Sequence, residues 1–419
     1  MRIQKKFYIR DIRSFRNKAL QWGCKSTHCC YLNGNAARYA YESFPELLAV
    51  GCKKEFLSDP SDYSSFLDNI TTSKDWAFGF LGYNTREIQL KENGFFPNGL
   101  FFSPITLISF FPGNIISIES SEDPELILSE IVNSVAENEN EISGSFHSSI
   151  TRENYISVIN RLKFHLQRGD IYQVNYCIKF EAEDLHCDPW LIYEKLNALS
   201  SMPFSGFLKA KEFCIVSASP ERYLKKLNTK IISQPMKGTA PVYENEVENK
   251  YSISNLITSE KEIAENVMIV DLVRNDLSTI CQDGSVKVET LCGLYTFKNV
   301  HQMVSTVVGT LNNVSASQII EKTFPMGSMT GAPKIRAMQL IEENEITERG
   351  PFSGTMGYFD PNGNFDLNVL IRSLFYNKRS GKAFYEAGSG ITHLSDPEKE
   401  YEECMLKAET IKQVFTNLN

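Results

Sequence analysis

No two of the ten cysteines stand at CxxC spacing, the usual frame of a structural zinc site. The adjacent pair Cys29–Cys30 is too close for an ordinary bridge. Thiols scattered without a framework are expected in a reducing cytosol. Long apolar runs are missing too. The greasiest stretch, LFFSPITLISFF at 100–111, is broken by Pro104 and too short to cross a bilayer, and MRIQKKFYIRD has no signal-peptide core. Positive charge is in deficit: 43 Lys and Arg against 51 Asp and Glu give a net charge of −8, which argues against general affinity for nucleic acid or anionic membrane. An anionic ligand would therefore need a locally basic pocket. A P-loop is absent as well. In PMGSMTGAPKIRAM, 325–338, Lys334 does not directly follow Gly331 and no Ser or Thr follows it.

What is present suits a large soluble protein. The 419 residues are 42% hydrophobic and 22% charged, enough to bury a sizeable core in two or three domains or one large α/β unit. The clearest shift in composition is the polar, acidic NSVAENENEISGSFHSS, which reads as a surface connection over 133–150. It separates an N-terminal part, 1–132, with short aromatic strand-like runs, from a larger C-terminal part, 151–419, in which helices and strands alternate. Tyr155, Val158, Leu162 and Leu166 recur at helical spacing, with Gly169 as the expected C-terminal cap. In IYQVNYCIKF, Tyr172, Val174, Tyr176, Ile178 and Phe180 alternate with Gln173, Asn175, Cys177 and Lys179. Such a strand either lies at the surface or lines a polar cavity.

Chemistry gathers near the acidic helices. Ser259 and Glu262 have capping-box spacing, and Glu262 and Glu265 share a helix face. The plain reading is a cap and a solvated acid. A last helix opens at Ser-Asp-Pro and carries a stripe of Tyr401, Cys404, Ala408, Ile411 and Phe415, with Glu400, Glu403 and Lys407 along its edge. If the two helices meet, four carboxylates would repel unless a hard cation such as Mg²⁺ neutralised them. Gly388 and Gly390 in EAGSGITHLSD allow a ligand close to the main chain, and LNVLIRSLFY reads as a strand carrying Arg372 among apolar neighbours. Lys237 in SQPMKGTAP is either a solvated turn lysine or an amine with a task.

Taken together, GDIYQVNY, SASPERYL, QPMKGTAP, SEKEIAENVMIVDLVRNDLSTIC, FPMGSMTGAPKIRAMQLIEE, GYFD, IRS, AGSGI and EKEYEECMLKA resemble the chorismate-utilising enzymes over about Thr151 to Phe415. The resemblance implies an α+β fold of two packed antiparallel sheets flanked by helices, with a Mg²⁺-dependent site for the dianion chorismate. It implies metal coordination by Glu265 and Glu403, with Glu262 and Glu400 beside them. Arg372, Lys407, Tyr358, Thr239 and the amides at Gly388 and Gly390 would hold the substrate. Gln173 stands where the water-adding members carry a lysine base, which favours ammonia as nucleophile. The P-M-K-G-T segment is similar to the aminodeoxychorismate branch, whose motif has lysine where anthranilate synthases have alanine.

The implied mechanism gives Glu221 the role of general acid, kept protonated by burial and nearby carboxylates, toward the C4 hydroxyl. Lys237 adds at C2 as that hydroxyl leaves, and ammonia then displaces it at C4. No G-x-C-x-G segment of a glutamine amidotransferase is present, so a separate glutaminase subunit is expected to supply ammonia for p-aminobenzoate and folate synthesis in the cytoplasm, with neither nucleic acid nor membrane as partner. Gln302 stands where the family usually has histidine, so no proton transfer is expected there; His301, His393 and the other histidines read as structural. The alternatives are an anthranilate synthase component I, disfavoured by Lys237 and by the lack of an L-L-E-S-like segment, and a catalytically weak chorismate-binding regulatory subunit.

Overall fold

The computed structural model describes residues 2–58, 63–84, 96–134, 142 and 144–416. Residues 135–141 and 143 of the polar connection lie outside the described residues. Two antiparallel sheets form the frame. The first runs Ile3–Tyr8, Ile115–Ser120, Thr106–Phe111, Leu47–Val50, His28–Asn33, Phe204–Ala210, Phe213–Ser219, Ser373–Asn377, Lys382–Ile391, Gln173–Ala182 and Gly331–Ala332. The second runs Met236–Pro241, Val300–Thr310, Lys230–Gln234, Arg222–Leu227, Phe365–Asn368, Thr355–Phe359, Ala77–Leu81, Gly99–Ser103 and Lys54–Leu57. Strands from 1–132 and from 151–419 thus share both sheets. One apolar cluster lies between the sheets, centred on Phe80, Phe101, Leu224 and Leu367; the other lies between the first sheet and its helices.

Local sequence explains the helices that matter. Helix Arg152–Arg168 is capped by the Thr151 side chain at its start and by Gly169, at φ 78°, at its end. It buries Tyr155, Val158, Leu162 and Leu166, each contributing roughly 1.5–3 kcal/mol of transfer free energy. Helix Glu260–Ser278 starts at Ser259, whose hydroxyl accepts from the Glu262 amide, but the box is not closed. The Ser259 amide is taken by the Leu256 carbonyl of the preceding helix Glu246–Thr258. The Glu262 carboxylate is therefore free of capping duty. The last helix, Pro397–Phe415, begins at Asp396 and buries Cys404, Ala408, Ile411 and Phe415, with Glu400 buried among them.

Two of the places where the chain passes from sheet to sheet lie side by side. One is Ser219 to Arg222, the other Asn368 to Ser373. They bond to each other: the Val369 amide donates to the Glu221 carbonyl (3.0 Å), the Ser219 hydroxyl to the Val369 carbonyl (2.6 Å) and the Ala218 amide to the Arg372 carbonyl (3.1 Å). This corrects the reading of LNVLIRSLFY as one strand. Arg372 sits in the gap at φ 50°, because the backbone must turn between layers there.

Strand Gln173–Ala182 pairs with Lys382–Ile391 along its length, Asn175 facing Gly390 and Cys177 facing Gly388. Both faces are buried over Gln173–Ile178, so the amide-bearing face looks inward; Tyr172, just before the strand, and Glu181, near its end, are exposed. The PMGSMTGAPK segment buttresses it. The Asn175 backbone amide donates to the Thr330 carbonyl (2.8 Å) and its side-chain amide to the Ser328 carbonyl (2.9 Å). Lys334 reaches Asp276 at 2.6 Å, so its charge is spent within the protein.

Candidate active site

Lys237 owes its direction to a bulge. The register between Met236–Pro241 and Val300–Thr310 shifts between Met236 and Thr239, and Gly238 adopts φ 88°. Its positive φ favours glycine there, and a β-carbon would also press on Met303 Cε (2.6 Å) and approach Glu262 Oε2 (3.2 Å). Asn266, buried on helix Glu260–Ser278, donates to the Lys237 carbonyl (3.3 Å) and the Met303 carbonyl (3.4 Å) and accepts from Ser305. Gln302 donates its amide to the Gly238 carbonyl at 3.1 Å. The backbone of the bulge is thus pinned from two sides.

The Lys237 side chain itself is held by nothing: among the described residues its ammonium makes no hydrogen bond or ion pair. Its surroundings are specific. A β-carbon at Gly390 would lie 2.4 Å from Gln173 Nε2 and 2.9 Å from Lys237 Nζ, which places amine, amide and glycine backbone in one spot. The charge of Lys237 also acts on Glu221, Glu262, Glu265 and Glu403.

Glu221 is buried at the sheet crossing, and burial pushes its carboxyl up to about 7 against the opposing pull of Ser328 and Lys237. The expectation that nearby carboxylates would share in this is corrected: desolvation alone raises it. An acid of this strength is half protonated at neutral pH, which is what proton donation to a leaving oxygen needs.

The four glutamates come together from two helices. Glu265 and Glu400 are buried, Glu262 is half-buried and Glu403 opens to solvent. Burial lifts Glu262 and Glu265, with Glu403 adding to the first and Glu262 and Glu400 to the second, while lysines oppose. Burial also lifts Glu403, but Lys407, with Lys237 and Lys261, outweighs it and the net shift is downward. Lys407 donates to Glu403 at 2.7 Å and to the Gly388 carbonyl at 2.9 Å. The fit to a hard cation rests on Glu265, whose Oε1 is buried without a hydrogen bond. Among the described residues no three acidic, His or Cys side chains close around one point. An ion that takes one or two carboxylates and completes its shell with water and ligand oxygens needs no closed cage.

Arg372 is half-buried, and among the described residues its guanidinium has no hydrogen bond or ion pair; it faces Lys407 closely enough to oppose that lysine's charge. Two neighbouring cations, one unpaired, invite an anion. Gln173 and Gln302 each bury a side-chain oxygen without a donor. Thr239 is exposed on the bulged strand opposite Gln302. Tyr358 is not brought to this group. It lies next to last in strand Thr355–Phe359, its ring packed on Trp76 (5.7 Å) and Phe78 (6.0 Å). Burial and Asp366 hold its hydroxyl protonated. His301 bridges Thr296 and Asn249 as a structural group.

The motifs did not single out Lys261 or Ser328. Lys261 lies 3.8 Å from both Glu265 and Glu400. Its spacing four residues before Glu265 was the available signal.

Comparison with known proteins places the chain in a family. The sequence profile of the family described as chorismate binding enzyme matches residues 27–413. The chain is 38% identical over 271 residues to aminodeoxychorismate synthase component 1 of Escherichia coli K12, covering 64% of this chain and 59% of that protein. It is 36% identical over 267 residues to anthranilate synthase component 1 of Thermus thermophilus, covering 64% and 57%. The matched part spans less than two thirds of these relatives. Two solved structures share the fold: anthranilate synthase component I of Streptococcus pneumoniae TIGR4 (TM-score 0.76, 24% identity, covering 90% of this chain and 94% of that one) and the menaquinone-specific isochorismate synthase MenF of Escherichia coli (0.79, 16%, 99% and 94%). With the profile spanning nearly the whole length, this chain belongs to the chorismate binding enzymes.

Proposed function

We propose that the chain converts chorismate and ammonia into 4-amino-4-deoxychorismate, the ammonia coming from a separate glutamine amidotransferase and the product leading to p-aminobenzoate and folate. The observation that carries this reading is the unpartnered Lys237 amine between a half-protonated acid and an acidic cluster. Relatives named aminodeoxychorismate synthase component 1 support the choice. The ten thiols are free, which suits a cytoplasmic setting, and among the described residues no helix is long and apolar enough to cross a membrane.

In this reading Arg372 and Lys407 anchor the substrate's carboxylates, with the backbone at Gly388 and Gly390 lying flat against the ring. The resemblance gives Glu265 and Glu403 as ligands with Glu262 and Glu400 beside them; because Lys407 already holds Glu403, we assign the first contacts to buried Glu265 and Glu400, which with the other two would hold Mg²⁺, and the ion when bound supplies positive charge for a carboxylate of the substrate. Glu221 gives its proton to the C4 hydroxyl as the Lys237 amine adds at C2, and water leaves. Ammonia then forms the C4–N bond while the C2–N bond to Lys237 breaks with its electron pair, restoring the free amine, and the proton shed by the new C4 nitrogen returns to the Glu221 carboxylate. The net exchange is hydroxyl for amine at one carbon. Two allylic displacements avoid expelling hydroxide directly.

Product identification by mass and ultraviolet spectrum, with chorismate, ammonium and Mg²⁺, tests the assignment. The natural chain should give the 4-amino product, and Lys237→Ala should lose about 10³-fold or more of that rate. Fluorescent anthranilate as the direct product, or an unimpaired Lys237→Ala, would sink it.

A further inference from the structure

Three lysines serve the glutamate cluster, and they are held differently. Lys407 is anchored by a carboxylate and a carbonyl, and Lys237 stands free beside Gly390. Lys261 is neither. Its ammonium lies 3.8 Å from Glu265 Oε1 and 3.8 Å from Glu400 Oε1, beyond hydrogen-bond length to both and centred between the two buried acids. The oxygen it faces on Glu265 is the one that lacks any hydrogen bond. Its side chain is 46% exposed, so the stem can swing outward without crossing packed atoms.

We propose that Lys261 is a resident counter-ion: in the metal-free protein it neutralises the pair Glu265–Glu400, and it leaves for solvent when a divalent cation arrives. The inference rests on reading these glutamates as the metal site. A lysine ammonium and a divalent ion cannot share the same two carboxylates, because over a few ångströms in a partly desolvated cleft their repulsion cancels what the acids offer. Without Lys261 the two buried acids, joined by half-buried Glu262, would repel across the gap between helices Glu260–Ser278 and Pro397–Phe415. With it, the empty cluster is tolerable and the metal must compete to enter. The dianionic substrate, which brings further negative charge, then tips the exchange, so ion and substrate load together.

Calorimetric titration of the purified full chain with MgCl₂, without substrate, tests this alongside melting in EDTA and in saturating Mg²⁺. Lys261→Met should bind Mg²⁺ about tenfold more tightly, the order expected when one like charge leaves a partly exposed site. It should melt lower than the natural chain in EDTA and level with it in Mg²⁺. Lys261→Arg, which keeps the charge, should match the natural chain in both. If Lys261→Met is too unstable in EDTA to titrate, Lys261→Gln gives the same neutral change with a polar head. Mg²⁺ affinity equal to or weaker than that of the natural chain in the neutral variants overturns the counter-ion role alone. Absence of Mg²⁺ binding in every protein overturns it together with the metal reading.

Discussion

Glu221 and Arg222 are neighbours in the chain, both ionisable and both buried, yet they belong to different kinds of environment. The Arg222 guanidinium is saturated. It donates to both oxygens of Asp366 (2.8 and 3.0 Å), to Gln234 and to the carbonyl of Glu42, and it stacks 4.6 Å over Phe204. Glu221, one residue earlier, meets the Ser328 hydroxyl, the Met236 amide and the Lys237 amine, all of which pull its carboxyl down, yet burial still keeps its proton to about pH 7. Burial is common to both. The difference lies in the counter-charge: a buried group whose bonds the protein fills with an opposite charge holds the fold together, and one left without that is ready for a ligand or a proton. Arg372, Glu265, Gln173 and Gln302 fall on the unfilled side.

The contrast can be broken by substitution. Glu221→Gln should lower the rate about 10²- to 10⁴-fold, the usual reach of a general acid. The natural enzyme should lose activity as pH rises through about 7, where Glu221 gives up its proton, and the variant should not show that fall. Stability gives an independent reading. Between the ordinary 4.5 and about 7 the unfolded chain releases this proton while the fold keeps it, so the natural chain loses stability with rising pH. Glu221→Gln should be as stable below that window and more stable above it, by chemical denaturation.

Arg222→Met, on the filled side, should cost about 3–5 kcal/mol in urea unfolding, because Asp366 would remain as a buried, less compensated charge. Arg372→Met is the counterpart. It should leave stability nearly unchanged and weaken substrate binding about 10- to 100-fold by calorimetry. Should Arg372→Met unfold the protein while Arg222→Met impairs only binding, the distinction fails.

The local parts of this structure were legible in the sequence. Thr151 and Gly169 mark one helix, Asp396 and Pro397 another, and the glutamate pairs follow from helical spacing. Lys237 stood out because a charged amine before Gly-Thr needs a reason. Less legible was whatever depends on distant partners. LNVLIRSLFY stays apolar through the sheet crossing because both layers bury it, so no pattern marks the turn that aims Arg372. Glu262 looked like a capping residue; the carbonyl of Leu256 relieves it of that task. GYFD suggested a site tyrosine, but the strand carries Tyr358 to its far end, against Trp76 and Phe78. Nor could spacing reveal that strands on either side of the polar connection interleave in both sheets.

The paired crossings at 219–222 and 368–373 tie the acid and the anchoring arginine to a single joint of the protein. In the proposed reaction this joint would set the reach from a carboxylate on Arg372 to the proton on Glu221, leaving only Lys237, on the bulged strand of the second sheet, to be positioned independently.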